Sequence, residues 1–152
     1  MFHFAYEWLP YTIIAVFSGN SEAVAQHIKI SFFAYAYASL IEYSWLRLPK
    51  PDRLRFLDSR LVGLLIVSIG TFLWYIVPAI RGAGMPNDLL EILYANIVIL
   101  LVALGAILIE RDVARIEFSR ASRWVLILFN LALLVILILG TFRIPWGGFW
   151  FM

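Results

Sequence analysis

The chain lacks cysteine altogether and carries little charge. With no Cys among 152 residues, disulfides, thiolate catalysis, iron–sulfur clusters and zinc held by cysteine are excluded. Charged residues make up 14% of the chain and hydrophobic residues 63%, and the mean hydropathy is +0.90. A water-soluble domain of this composition would have more apolar surface than its core could bury. The composition therefore predicts a protein that is integral to a membrane.

Sequence patterns typical of catalysis are also missing. The chain has no Ser, His and Asp arrangement for acyl transfer and no glycine-rich phosphate-binding loop after a strand. Its two histidines, His3 and His27, are not paired on one helix, and no further metal ligands lie near them. They would ligate a haem only if a re-entrant N-terminal segment brought both to one cofactor. No cofactor or metal is therefore predicted, and haem stays open as an alternative.

Four apolar segments are long enough to cross a bilayer. A helix rises 1.5 Å per residue, so about 20 residues cover the roughly 30 Å of hydrocarbon. Prolines 49 and 51 end the first segment, and the glycine-rich stretch after Arg81 ends the second. The sequence thus predicts one all-α transmembrane domain, residues 1–152, built as a bundle of four transmembrane helices. The predicted spans are residues 28–46, 61–80, 89–109 and 124–142.

An additional apolar segment, residues 2–18, precedes these spans. As one helix it would be about 24 Å long, which is short for a crossing. It also contains His3, Glu7 and Pro10. We therefore expect an interfacial or re-entrant helix, and a fifth crossing is the alternative.

The basic residues are concentrated in two short stretches between predicted spans. Of the 12 Lys and Arg residues, nine lie within residues 47–60 and 110–123. Loops rich in Lys and Arg stay on the cytoplasmic side of a membrane. The sequence therefore predicts that both stretches face the cytoplasm or an equivalent compartment. Because these residues flank apolar spans, topology explains them, and nucleic-acid binding is not predicted.

Glu42 is the clearest acidic residue inside a predicted span. An unpaired carboxylate there costs about 2.5 to 3.5 kcal/mol, so we expect it to be paired or neutralised. It shares a helix face with Ala34 and Ala38, whose small side chains allow another helix to approach closely. Its position near the cytoplasmic end predicts an ion pair with Arg47 or Arg60. A proton or ion site and a contact with another subunit are the alternatives.

Two asparagines and several small residues are expected to mediate helix packing. Asn96 and Asn130 lie deeper in the spans, where interhelical hydrogen bonds of about 0.6 to 2 kcal/mol are their commonest use. Pore or ligand lining is the alternative for both. The small residues predicted at helix contacts are Gly63 and Gly70 in the second span, and Ala103 and Ala106 in the third.

Aromatic residues cluster near the predicted membrane boundaries. Indole rings favour the headgroup layer, so tryptophans near the ends of spans are predicted to be interfacial anchors. These anchors are Trp45, Trp146 and Trp150. Tyr35, Tyr37 and Tyr43 are aromatic enough to line a quinone or lipid pocket, although packing is the commoner role of such residues.

These observations leave three classes of function. The favoured one is a non-catalytic, structural or accessory subunit of a larger integral-membrane complex, which would hold helices and lipid around a partner. The second is a homo-oligomeric ion or proton channel or small transporter, which needs Glu42, Asn96 and Asn130 to face a common cavity. The third, an enzyme acting on lipid or quinone, lacks the expected acidic and histidine cluster. The predicted partners are membrane lipids and other integral-membrane subunits or further copies of the chain.

Overall fold

All regular secondary structure in the described part of the chain is helical. The structure is a computed structural model that describes residues 5–18, 24–82 and 85–142, and no strand occurs among them. The predicted all-α fold is therefore confirmed for these residues, whereas His3, Trp146 and Trp150 lie outside them. The helices are α1 (Ala5–Trp8), α2 (Thr12–Ser18), α3 (Val24–Trp45), α4 (Lys50–Gly70), α5 (Leu73–Arg81), α6 (Asp88–Val113) and α7 (Arg120–Phe142).

Three of the four predicted spans are long and apolar enough to cross a membrane. In the described part of the chain these are Asp52–Arg81, which joins α4 and α5, Leu89–Val113 in α6 and Arg120–Phe142 in α7. The prediction of a fourth such span, residues 28–46, is not confirmed. The corresponding helix α3 has 22 residues, but it is not among the three. Helix α3 is long enough to cross a membrane, but its composition is too polar. It carries Gln26, His27, Lys29 and Glu42.

The basic stretch 47–60, predicted as a loop, is mostly helix. Helix α4 begins at Lys50, directly after Pro49 at the N-cap, and a second proline follows within its first two positions. The first turn of a helix tolerates proline because its N–H groups have no partner within the helix. Asp52 also lies in this first turn, where a negative charge interacts favourably with the helix dipole. The prolines that end α3 therefore also start α4.

The other basic stretch, residues 110–123, is divided between two helices. Helix α6 continues to Val113, and α7 begins at Arg120. The hydroxyl of Ser119 accepts a hydrogen bond from the backbone N–H of Ser122 at 3.0 Å, which caps the new helix. Only the short turn between Val113 and Arg120 lies outside the helices.

The second predicted span is interrupted at residues 71–72. Around this point the backbone hydrogen bonds run from residue i to i−3, for example from Phe72 N–H to Ile69 at 3.0 Å. Gly70 is a weak helix former, and the Thr71 hydroxyl donates back to the Val67 carbonyl at 2.9 Å, an arrangement that bends helices.

The N-terminal segment forms two short helices instead of one. Helices α1 and α2 are separated at residues 9–11, where Pro10 interrupts the pattern. Helix α2 has seven residues, about 10 Å of length, and it packs against α3 and α7. The described part of this segment therefore does not cross a bilayer as one helix. The interfacial or re-entrant arrangement remains a prediction.

Helix α4 is the central element of the bundle. It packs against α3, α6 and α7, whereas α3 and α6 hardly approach each other. Between α3 and α7 the buried core consists of Ile28, Phe32 and Leu137. The buried hydrophobic residues of α6 are small or branched: Ala95, Val98, Val102 and Ala106.

The two basic stretches lie at the same end of this bundle. Arg55, near the start of α4, contacts Glu117 in the turn between α6 and α7 there. We call the region formed by residues 46–60 and 110–123 the basic end. The starts of α3 and α6 and the ends of α5 and α7 form the opposite end.

Two glycines allow α4 to approach α6 closely. A Cβ added at Gly63 would overlap the Glu110 carboxylate and the Tyr35 hydroxyl, and one added at Gly70 would overlap the Val102 side chain. Gly105, in contrast, has no atom within 4 Å of the place its Cβ would take. The close packing therefore depends on glycine at the first two positions and not at the third.

Replacing Gly63 by Ala should destabilise the bundle through this overlap. We expect Gly63→Ala to lower the free energy of unfolding by about 1 to 3 kcal/mol relative to the matched control Gly105→Ala. The control should be neutral or stabilising by up to about 1 kcal/mol, since Ala is the better helix former. Unfolding by sodium dodecyl sulfate in mixed micelles, followed by circular dichroism, measures both. Equal stability of the two variants would contradict the close contact at Gly63.

Candidate functional site

Arg60 joins three helices at the basic end through its guanidinium group. From α4 it donates through Nη2 to Oε2 of Glu42 on α3, at 2.6 Å. Its Nη1 donates to Oε2 of Glu110 on α6, and the Tyr35 hydroxyl of α3 donates to the other Glu110 oxygen. The sequence leaves Arg47 and Arg60 as alternative partners of Glu42, and the ion pair in the structure is with Arg60.

The residues one helical turn from Arg60 on either side support its side chain and leave space for its partner. Phe56 places its ring beneath the guanidinium carbon, 4.8 Å from the ring centroid, which favours the cation. Gly63, one turn further along α4, leaves the space that the Glu110 carboxylate occupies. The local sequence of α4 thus supports the Arg60 side chain and clears the position of its partner.

The two carboxylates that contact Arg60 differ in burial. The Glu110 side chain is 5% exposed, whereas that of Glu42 is 45% exposed. Solvent weakens the ion pair of an exposed carboxylate, so that pair adds little stability. If the partner of a buried carboxylate is removed, the buried charge is left uncompensated, which costs much more. The contact between Arg60 and Glu110 is therefore the one on which stability depends most.

A second ion pair lies on the opposite side of α4. Asp58 is two residues before Arg60, which places it about 200° away around the helix. Its side chain is 2% exposed and accepts two hydrogen bonds from Arg123 of α7, from Nε at 2.6 Å and from Nη2 at 2.8 Å. A bidentate pair of this kind is among the stronger charged contacts in proteins. Through Asp58 and Arg60, α4 is connected by charge to α3, α6 and α7.

An open pocket of about 620 Å³ lies beside the Arg60 cluster, between α3, α4 and α6. Glu42, Arg60 and Glu110 form part of its wall. Asp52 and Arg111 also line it, and neither forms an ion pair with any residue in the described part of the chain. The pocket therefore combines a self-paired charged wall with one unpaired charge of each sign.

Lys29 is fully buried near the opposite end, with 0% of its surface exposed. Its ammonium donates to the Ala15 carbonyl of α2 at 2.6 Å and to the Thr141 hydroxyl of α7 at 2.7 Å. None of the carboxylates in residues 5–18, 24–82 and 85–142 pairs with it. Both acceptors lie in the last turns of their helices, where the helix dipole favours a positive charge. Two helix C-termini therefore compensate this cation and attach α2 to the bundle.

A further polar and aromatic cluster lies near the opposite end. His27 of α3 shares a hydrogen bond of 3.1 Å with the Tyr75 hydroxyl, and its ring meets that of Trp74 edge to face at 4.4 Å. Trp74 donates from its indole nitrogen to Glu91 of α6 at 2.8 Å. His27 is thus part of the packing between α3, α5 and α6. Its proposed haem partner, His3, lies outside the described residues.

The two asparagines do not meet Glu42 in a common cavity. Asn130 is buried and donates from Nδ2 to the Leu61 carbonyl of α4 at 3.1 Å, which is an interhelical hydrogen bond. Asn96 is exposed on α6, and its Nδ2 donates to the Ile92 carbonyl of its own helix at 2.7 Å. Neither residue lines the pocket beside Glu42. The polar path that a channel would need is therefore not formed by these three residues in one chain.

The small residues of α3 and α6 are placed differently. Ala106 is buried against α4, and Ala103 lies at the border of that contact, half-buried. Ala34 and Ala38 of α3, in contrast, are exposed, although Glu42 on the same side of that helix reaches Arg60 of α4. Trp45, at the end of α3, is 83% exposed. Ala34 and Ala38 therefore lie on the outside of the bundle.

The three tyrosines make separate contacts in the described part of the chain. Tyr35 contacts Glu110, Tyr37 stacks on Phe33 at 6.1 Å, and Tyr43 lies 5.9 Å from the ring of Phe56. All three rings are used in packing, and none of them lines the pocket beside Arg60.

Asp58 and Lys29 are site residues that sequence reasoning misses. Asp58 falls in a stretch predicted as a cytoplasmic loop, and the early start of α4 turns it towards α7. Lys29 lies inside the predicted span 28–46, and a Lys within a span is itself a sufficient signal for a buried, partnered charge. Its acceptors on α2 and α7 are distant in sequence and could not be identified from the pattern.

Removing the Arg60 guanidinium should destabilise the bundle strongly. We expect Arg60→Met to lower the free energy of unfolding by about 3 to 5 kcal/mol, because Glu110 is left buried without a partner. Glu42→Gln should cost less than about 1 kcal/mol, because Glu42 is half exposed. Unfolding by sodium dodecyl sulfate in mixed micelles measures both changes.

The matched control is Arg115→Met, which removes an exposed arginine 3.7 Å from Asp112. It should change the free energy of unfolding by no more than about 0.5 kcal/mol. Adding Glu110→Gln to Arg60→Met should recover part of the lost stability, since the unpaired charge is then removed. A cost for Arg60→Met no larger than that of the control would show that the cluster does not hold the helices.

Asp58, Arg60, Glu110 and Arg123 of the basic end are thus used for contacts between helices. In the described part of the chain, no group of three or more His, Asp or Glu residues is placed to hold a metal ion. Comparison with known protein families, curated proteins and solved structures finds no match for this chain.

Proposed function

We propose that this chain is a non-catalytic subunit of a larger integral-membrane complex, in which it holds partner helices and lipid. The observation that carries the proposal is the pairing of charged residues at the basic end with each other across helices. Arg60 is shared between Glu42 and Glu110, and Asp58 is held by Arg123. Side chains used in this way support the association of helices.

The composition of α3 supports a partner on its outer face. This helix is less apolar than the three candidate spans, yet it is long enough to cross a bilayer. Its exposed face carries Ala34 and Ala38, whose small side chains leave a shallow groove for a second helix. We infer that a transmembrane helix of another polypeptide covers this face.

The apolar surface of the other helices also supports a membrane assembly. Only 18%, 22% and 17% of the apolar windows of the three candidate spans are buried within the chain. The remaining apolar surface must be covered by lipid or by other helices, because water would make its exposure unfavourable. The fold of one chain therefore leaves most of its helix surface available for these contacts.

We further propose that the basic end faces the cytoplasm, as the enrichment in Arg and Lys favours. Since the chain has no cysteine, single-cysteine variants report its orientation directly. A membrane-impermeant maleimide added to intact cells should label Pro86→Cys at the opposite end. Ala121→Cys at the basic end should react only after permeabilisation. The reverse pattern would contradict this orientation.

Enlarging the outer face of α3 should weaken partner binding. We expect the double variant Ala34→Leu, Ala38→Leu to retain about tenfold less partner than the unchanged chain, because the added side chains block close approach. The measurement is extraction of the complex from native membranes in mild detergent, followed by mass determination of every polypeptide that remains bound.

The matched control is Ala132→Leu, which replaces one exposed alanine of α7 by leucine. This variant should retain the partner fully. Recovery of the unchanged chain as a stable homo-oligomer without other polypeptides would contradict the proposed function. Equal retention by both variants would contradict the assignment of the α3 face.

A further inference from the structure

The pocket at the basic end has the shape of a lateral opening between helices. It lies where α3 and α6 both pack against α4 but hardly approach each other. Its volume is about 620 Å³, which lies within the usual range of small-ligand sites. Glu110 in its wall belongs to the last turns of the candidate span Leu89–Val113, so the pocket lies at the depth of lipid headgroups if this helix spans the membrane.

The charges that line this pocket balance each other. Three are positive and three negative: Arg55, Arg60, Arg111, Glu42, Asp52 and Glu110. Four of these six are engaged, since Arg60 pairs with both glutamates and Arg55 pairs with Glu117. Asp52 and Arg111 form no ion pair or side-chain hydrogen bond within the described part of the chain. The pocket therefore offers one free carboxylate and one free guanidinium to a ligand.

The remaining wall of the pocket is apolar. It is formed by Leu48, Phe56, Ile107 and Ala114, with Ser59 as its one polar member. Ile107 is 57% exposed on α6, and Leu104 and Leu100 lie along the same exposed side of the helix. An acyl chain that leaves the pocket towards the bilayer centre would follow this apolar surface. The site is thus polar at one end and continuous with lipid-like surface at the other.

We propose that this pocket binds a zwitterionic phospholipid whose headgroup carries a phosphate and a primary ammonium. A guanidinium is the preferred protein group for phosphate, so Arg111 holds the phosphate. The carboxylate of Asp52 accepts the ammonium, and the acyl chains lie along α6. An anionic lipid without the ammonium leaves Asp52 unpaired beside a negative ligand, which disfavours it.

Native mass spectrometry of the full-length chain in detergent micelles tests this site. The probes are phosphatidylethanolamine and phosphatidylglycerol with identical acyl chains, added separately and then in competition. We expect a one-to-one complex with phosphatidylethanolamine that is favoured over phosphatidylglycerol by about fivefold, the effect of one charge contact near a membrane surface. Equal or stronger binding of phosphatidylglycerol would overturn the proposal, and this comparison needs no variant.

Two variants assign the binding to the pocket. The double variant Asp52→Asn, Arg111→Gln should abolish the preference between the two lipids. The control Asp112→Asn, Arg115→Gln removes an exposed charge of each sign outside the pocket and should retain the preference. An unchanged preference in the first variant would overturn the site. Soluble glycerophosphoethanolamine distinguishes a lipid from a free headgroup: displacement of the lipid at equal concentration would overturn the role of the acyl chains.

Discussion

A buried charge in a helical bundle must find its partner inside the bundle, and this requirement governs how the helices meet. Glu110 is almost fully buried on α6, and the guanidinium of Arg60 on α4 compensates it. Because the surroundings screen charge poorly, this contact tolerates little displacement of the two helices. Gly63 is part of the same constraint, since any larger residue would overlap the carboxylate. The ion pair of Arg60 with Glu110 therefore sets where α6 lies on α4. Arg60 also pairs with Glu42, which connects α3 to the same cluster.

The same requirement is met in two other ways. On the opposite side of α4, Asp58 is compensated by the bidentate contact with Arg123, so the basic stretches serve as interhelical connections as well as a topology signal. Lys29 has no carboxylate partner in the described part of the chain, and carbonyl and hydroxyl oxygens at the C-termini of α2 and α7 accept its hydrogen bonds instead. Each end of the bundle is thus held by charged side chains, but with different chemistry.

The surface features that these charged contacts do not use bear on function. Two features of the chain are directed outwards: the small-residue face of α3 at Ala34 and Ala38, and the pocket with unpaired Asp52 and Arg111. A shallow face suits another helix, and a pocket with one charge of each sign suits a zwitterionic headgroup. Both would give the chain the role of holding other membrane components in place.

The all-helical character and the three apolar spans could be predicted from the sequence, because hydrophobic runs of this length have few other stable structures. The clustering of basic residues at one end could also be predicted, since it follows from their positions between the spans. Tertiary structure alone decided that Asp58 meets Arg123, that Arg60 meets Glu110, and that Lys29 meets Ala15 and Thr141. Periodicity places a residue on a face of its own helix, but which helix lies against that face depends on contacts between residues far apart in the chain.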